Sequence, residues 1–244
     1  MSIPDAPLPV PAVVRRIAGP AAVSAVWLNQ VGGTTFRLAG GGPGGVDRFC
    51  KWAPAGAPLD LAAEAERSAW AAAFTPVPRV LAHGVETDGS WLLTAALPGE
   101  SAVSPRWLAR PDVAVPALAR GLRALHERLP VDSCPFDWSV PHRLARAVGD
   151  VTRLGPAPPV DVAVVCHGDA CAPNTLLGED GEPVAHVDLG GLGVADRWAD
   201  LAVATMSLGW NYGPGWEEVF LDAYGVAADP VRTAYYRALW DAGP

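Results

Sequence analysis

Leu97-Pro98-Gly99-Glu100 divides this 244-residue chain into two stretches with different hydrophobic periods. Proline removes a backbone donor and fixes φ, and glycine carries the largest backbone entropy, so neither a strand nor a helix runs through the break. Before it, residues 21–29 (AAVSAVWLN), 34–38 (TTFRL), 46–52 (VDRFCKW), 80–83 and 90–95 (SWLLTA) read as short strands, with glycine turns among their connections. One helix interrupts them at 57–74, where Leu59, Leu61, Ala65, Ala69 and Ala73 fall at helical spacing. After the break the pattern turns helical, at 113–127, 143–153, 197–208, 216–224 and 231–239. A buried strand at 161–166 and a hairpin from 175–177 to 184–188 lie between the second and third of these. The expectation is an α+β fold of two lobes. Residues 1–97 form a small antiparallel-sheet lobe, a hinge follows at about 94–98, and residues 98–244 form a mainly helical lobe.

Half of the residues are apolar, enough for a substantial core. No apolar run reaches about 18 residues without a charge or proline, so no membrane span is expected. The first residues, MSIPDAPLPVPAVVRR, lack the basic start and smooth apolar core of a signal peptide, and a cytoplasmic protein is expected. Cys50, Cys134, Cys166 and Cys171 lack metal-site spacing and read as thiols. Residues 1–98 carry seven basic and seven acidic side chains, and residues 99–244 carry eleven and nineteen. The whole net charge of −8 therefore sits in the second half. That argues against nucleic acid as a partner and suits a cationic ligand, although an acidic surface kept for solubility reads the same way.

Three oxygen-bearing side chains stand at the ends of short apolar runs. They are Asp169 and Asn174 in Val-Cys-His-Gly-Asp-Ala-Cys-Ala-Pro-Asn, and Asp188 in Val-Asp-Leu-Gly-Gly-Leu-Gly. An acid placed to take a proton from a hydroxyl, with an amide and a second acid as hard oxygen ligands for Mg²⁺ on a nucleoside triphosphate, is the equipment of a kinase. Lys51 is the only lysine, against 17 arginines. A compact ammonium retained mid-strand after a glycine hairpin suits the α- and β-phosphates. Glu64, 13 residues on in the helix, is its expected partner, preferred over Glu66 on another helix face. Gly32, Gly33, Thr34 and Thr35 offer backbone N–H groups and hydroxyls to phosphates. The run 40–45 (GGGPGG) reads as a connection that only has to turn. His167, beside a glycine in a tight turn, reads as a backbone hydrogen-bonding residue, and Asp196 and Asp200 read as structural. No Gly-x-Ser-x-Gly elbow supports a hydrolase.

With these residues in place, the chain resembles the aminoglycoside phosphotransferase family, whose members share the bilobal protein-kinase-like fold. The matching motifs are His167-Gly-Asp-x4-Asn174, Asp188-x-Gly-x-x-Gly-x-Ala-Asp196 followed by Asp200-Leu-Ala, Lys51, and Glu64 six residues before Trp70. The resemblance implies Asp169 as catalytic base, Asn174 and Asp188 as magnesium ligands, and Lys51 with Glu64 on the phosphates of ATP. It implies a hinge at Leu93-Thr-Ala-Ala-Leu97 whose backbone at Ala95 and Leu97 meets adenine. The glycine turn is shorter than the family's and lacks its serine. Within the family the chain is similar to the streptomycin 3''-phosphotransferases, through Asp132-Ser-Cys-Pro-Phe136, the segments around Asp169 and Asp188, and Ala234-Tyr-Tyr-Arg. That implies transfer of the γ-phosphate of ATP to the 3''-hydroxyl of streptomycin, which inactivates the antibiotic; separately, a monomer is expected. Glu217, Glu218 and Asp241 on the late helices are expected partners for the drug's cations. Trp210 and Asn211 either shape its pocket or belong to the core. The alternatives are a kinase for another small hydroxyl-bearing antibiotic or metabolite, and an inactive nucleotide-binding pseudokinase.

Overall fold

Along Thr34–Ala39 the side chains alternate, with Thr34, Phe36 and Leu38 buried and Arg37 and Ala39 exposed. That period of two makes a strand with one face on a core. The structure is a computed structural model and describes residues 4, 6–29, 31–152 and 154–243. The chain forms two compact units, Met1–Ala73 with Val77–Leu97, and Phe74–Pro76 with Pro98–Pro244. Phe74–Pro76 thus departs from a simple split at residue 97.

In the first unit, α1 (Ala12–Ala18) precedes β1 (Ala22–Leu28), β2 (Thr34–Ala39), β3 (Arg48–Pro54), α2 (Leu61–Ala71), β4 (Val80–Glu86) and β5 (Gly89–Ala95). The strands form one antiparallel sheet in the order β1-β2-β3-β5-β4. Helix α1 lies in the proline-rich start, where no helix is expected. Its Val13, Val14 and Ala18 pack on Phe36, Leu38, Cys50 and Leu93. Each large side chain buried in this way contributes roughly 1.5–3 kcal/mol. Helix α2 starts later than expected because Asp60 caps it, accepting from Ala63 N–H at 2.9 Å. Its Leu61 and Ala65 pack on Ala53 and Leu92.

The second unit contains β6 (Glu100–Ser101), α3 (Pro105–Leu108), α4 (Pro111–Arg128), α5 (Val140–Arg146), β7 (Ala163–Cys166), β8 (Thr175–Leu177), β9 (Pro183–His186), β10 (Gly193–Asp196), α6 (Trp198–Asn211), α7 (Glu217–Tyr224) and α8 (Pro230–Asp241). Strands β7 and β10 pair antiparallel, and β8 lies between β6 and β9. Helix α6 is apolar nearly all round and runs through the core, with Leu201, Ala202 and Val203 fully buried. The helix expected over 143–153 is instead the short α5. Ser139 caps its start, and beyond Arg146 the Val148 and Gly149 N–H groups go to Ala242 O at 3.1 and 2.9 Å rather than into a helix. Arg153, expected at the end of that helix, and Gln30, in the first hairpin, lie outside the described residues. All four cysteines carry thiols, not disulfides. No described helix is long and apolar enough to cross a membrane.

Candidate active site

Lys51 sits mid-strand on β3, opposite Thr35 of β2 and Leu92 of β5. Its Nζ donates to both Glu64 oxygens, at 2.7 and 2.8 Å. The carboxylate is buried and comes from the first turn of α2, whereas Glu66 is exposed. A pair this far from water is held by geometry, since removing one partner strands the other charge. The glycine turn differs from the expectation. Asn29 Oδ1 accepts from Gly33 N–H at 2.6 Å and from Val31 N–H at 3.1 Å. The Gly33 donor expected to face a phosphate is therefore occupied by the turn's own side chain. A Cβ at Gly33 would lie 2.6 Å from Asn29 Nδ2 and from Leu59 Cδ1, so a larger residue there would displace the Asn29 side chain that holds the turn. Gly32 has φ +86, Thr34 is buried and Thr35 is half-buried. At the end of β5, Ala95 N–H goes to Arg79 O at 3.0 Å, so that donor is taken; Leu97 follows at the end of this unit.

In the second unit, β7 ends at Cys166 and the chain turns sharply through His167 and Gly168. Gly168 has φ +85 and packs on Gly191, whose carbonyl oxygen would lie 2.1 Å from an added Cβ. Only glycine meets both conditions, and it brings the 167–174 loop against the 188–193 loop. Asp169 follows. The Asn174 amide nitrogen donates to Asp169 O at 2.9 Å and Oδ2 at 3.2 Å. Asp169 Oδ1 is buried and makes no hydrogen bond among the described residues. Burial and then the Asp188 charge raise the Asp169 carboxyl above its usual range, while Cys171, His167 and Asn174 pull against them. Asp188 lies beyond β9 rather than in a strand. Its φ of 65° makes it the one non-glycine residue with positive φ among the described residues. Such a conformation is held by its surroundings. Its neighbour Val187 is fixed from both sides, donating N–H to Asn174 O at 2.9 Å and accepting from His167 Nε2 at 3.0 Å.

Asp200, fully buried at the start of α6, organises this turn from below. Its Oδ2 accepts from His167 N–H at 2.6 Å, its Oδ1 from Gly168 N–H at 2.9 Å. Oδ2 also meets His126 Nε2 at 2.9 Å, and His126 Nδ1 shares a hydrogen bond of 2.8 Å with the Tyr224 hydroxyl. Burial works to raise the Asp200 carboxyl, but the hydrogen bond and charge of His126, then His167 and Gly168, hold it below its usual range. His126, Cys166 and Asp200 are close enough to hold a metal, yet each is spent on these hydrogen bonds or, for Cys166, on Asp196 O. Ser207 Oγ, two turns along α6, accepts from Ala172 N–H at 2.9 Å. His126, Tyr224 and Ser207 carry no sequence signal, because nothing in the local spacing of their helices sets them apart from the other polar residues there. Glu217 pairs with Arg237 at 3.0 Å, and Glu217, Glu218 and Asp241 are all exposed.

Asn174 and Asp188 suit a magnesium ion by the chemistry of their donors. The Asn174 amide nitrogen is spent on Asp169, so its hard Oδ1 is the atom left for a cation, and Asp188 supplies a carboxylate. The chain matches the model of the phosphotransferase enzyme family over residues 28–154 and 142–236. It is 35% identical to an aminoglycoside 3'-phosphotransferase of Streptomyces fradiae, over 85% of this chain and 90% of that one. It is 34% identical to a streptomycin 3''-kinase of Streptomyces griseus, over 87% and 89%. Among solved structures, an aminoglycoside 3'-phosphotransferase of type VIII superposes with a TM-score of 0.76 at 33% identity, over 91% and 94%. A 3''-Id aminoglycoside phosphotransferase from Streptomyces rimosus, in complex with ADP and streptomycin, superposes at 0.71 and 29%, over 94% and 95%.

Proposed function

The chain belongs to the aminoglycoside phosphotransferase family of phosphotransferase enzymes, and from that premise we propose that it moves the γ-phosphate of ATP to the 3''-hydroxyl of streptomycin. The observation that carries the reading is the Asp169 loop, with a buried carboxyl oxygen left without a hydrogen bond beside an amide that is held in place. Asp169 Oδ1 accepts the hydrogen bond of the acceptor hydroxyl and takes its proton as the oxygen attacks phosphorus. Burial and the Asp188 charge favour that uptake, because both destabilise the bare carboxylate. Lys51, fixed by Glu64, binds the α- and β-phosphates, the backbone at Ala95 and Leu97 meets adenine, and Thr34 and Thr35 line the phosphate turn. Asn174 Oδ1 and Asp188 would hold magnesium, whose charge neutralises the transferring phosphoryl group. The network from Tyr224 through His126 to Asp200 keeps the Asp169 turn in one conformation, so little reorganisation remains for the reaction.

Streptomycin is favoured by the segments around Asp132, Asp169 and Asp188 and by similarity to the streptomycin 3''-kinase. Its guanidinium groups suit the acidic second unit. A 3'-hydroxyl of a different aminoglycoside is the second reading, supported by the 35% identity to a 3'-phosphotransferase. Purified protein given ATP, Mg²⁺ and a panel of aminoglycosides separates them. We expect phosphorylated streptomycin with phosphorus coupled to the 3'' position by NMR, and a loss of at least roughly 10³-fold in Asp169→Ala. Phosphorylation of kanamycin or neomycin with streptomycin untouched establishes the second reading.

A further inference from the structure

Nine of the ten tryptophans are buried or half-buried, while Trp210, in the last turn of α6, is 57% exposed. Its place is informative. Ser207, which accepts from Ala172 N–H in the Asp169–Asn174 loop, lies three residues earlier, and Asn211, bonded to Ser207, lies one later. Residues three and four apart share a helix face, so Trp210 stands about 4.5 Å further along the face that docks on the catalytic loop. It is fixed there. Its ring lies 5.7 Å from that of Trp240 at an angle of 45°. Arg237, one turn before Trp240 on α8, donates to Ala202 O and Thr205 Oγ1 of α6 and to Glu217 of α7. The far end of α8 is held by Val148 and Gly149 through Ala242 O. The exposed Asp241 adjoins Trp240.

We propose that Trp210, backed by Trp240, is a shelf on which a guanidinium or ammonium group of the acceptor rests by cation–π contact, and that this shelf sets acceptor affinity. The inference rests on the aminoglycoside reading and deepens it. An indole face is the strongest of the aromatic partners for a cation. The surrounding charge selects one: the second half carries the whole net charge of −8, and a second copy of the chain would bring the same acidic surface against itself. Because the contact is equal in ground and transition states, it acts on KM rather than kcat.

The test uses the full chain with Trp210→Ala and Trp210→Phe, each checked for native circular dichroism. Steady-state kinetics and calorimetric binding are measured with streptomycin and kanamycin as probes. We expect Trp210→Ala to raise the acceptor KM and Kd roughly 10-fold, with kcat and the KM for ATP within about 2-fold of the parent, and Trp210→Phe to recover most of the loss. An acceptor KM and Kd unchanged in Trp210→Ala overturn the shelf while leaving the kinase reading intact. Aminoglycoside binding that weakens in Trp210→Ala, in a protein that phosphorylates none of the panel, upholds the shelf and overturns the kinase reading. No binding of either probe by the parent protein overturns the shelf. A parent dimer that Trp210→Ala converts to monomer in sedimentation overturns it in favour of a self-association surface.

Discussion

Lys51 and Glu64 show how little sequence is needed to place one ion pair. A lone lysine on a strand and an acid in the next helix meet at 2.7 and 2.8 Å. Sheet pairing fixes the height of Lys51, and the Asp60 cap fixes the rotation of α2, so Glu64 rather than Glu66 turns inward. We expect Glu64→Ala to lower kcat/KM for ATP by roughly 10²-fold, measured at saturating acceptor, with unaltered acceptor binding by calorimetry. A phosphate-positioning ammonium that keeps full activity without this carboxylate would remove the pair from the mechanism. Asn29 marks the opposite case. Its side chain occupies the Gly33 N–H, and nothing in the order Asn-x-x-Gly-Gly distinguishes a self-capped turn from one that caps a phosphate. Likewise the φ of 65° at Asp188 depends on how Val187 is clamped on both sides, which lies beyond its local residues.

Among elements, those with strong periodicity were legible: the five strands of the first unit, α2, α4, α6, α7 and α8 all coincide in type and approximate position with their sequence patterns. Helix α1 was not, because prolines surround it and its apolar residues matter only once the sheet supplies Phe36 and Leu38 to bury them. Strand β10 was not, because Gly193 and its neighbours look like a loop until Cys166 pairs with them. The contact between the 167–174 and 188–193 loops likewise depends on one glycine. Gly168→Ala would place a Cβ 2.1 Å from Gly191 O at a φ of +85. Strain from the backbone and from overpacking adds to at least about 2 kcal/mol of lost stability, read as a lower urea midpoint, with kcat falling more than the KM for ATP.

On the scale of the molecule, the buried His186 beside the Asp169 turn makes stability depend on pH. Burial, then His167 and His126, push the His186 imidazole down to about 3. Between the unfolded value near 6.5 and about 3, the unfolded chain binds a proton that the native chain refuses. This contribution is fully present above about 6.5 and is lost as pH falls through that window. The Asp200 carboxyl, held low in the fold, adds a loss only as pH drops below the ordinary carboxylate range. We expect the urea midpoint to fall steadily from pH 7 to 4, and His186→Gln to flatten the slope between 6.5 and 4. An equal slope in parent and variant would assign the pH dependence elsewhere. The amino-acid sequence by itself determined the candidate set Lys51, Asp169, Asn174 and Asp188, the alternation of strands and the helical period after residue 98. These are local properties, written in side-chain type and spacing. The tertiary structure alone decided how the Asp169 turn is held, since Tyr224, His126 and Asp200 join across separations of 98 and 74 residues. It also decided which late acids and which tryptophan face solvent. Burial and long-range hydrogen bonding belong to the packed chain, and no local spacing encodes them.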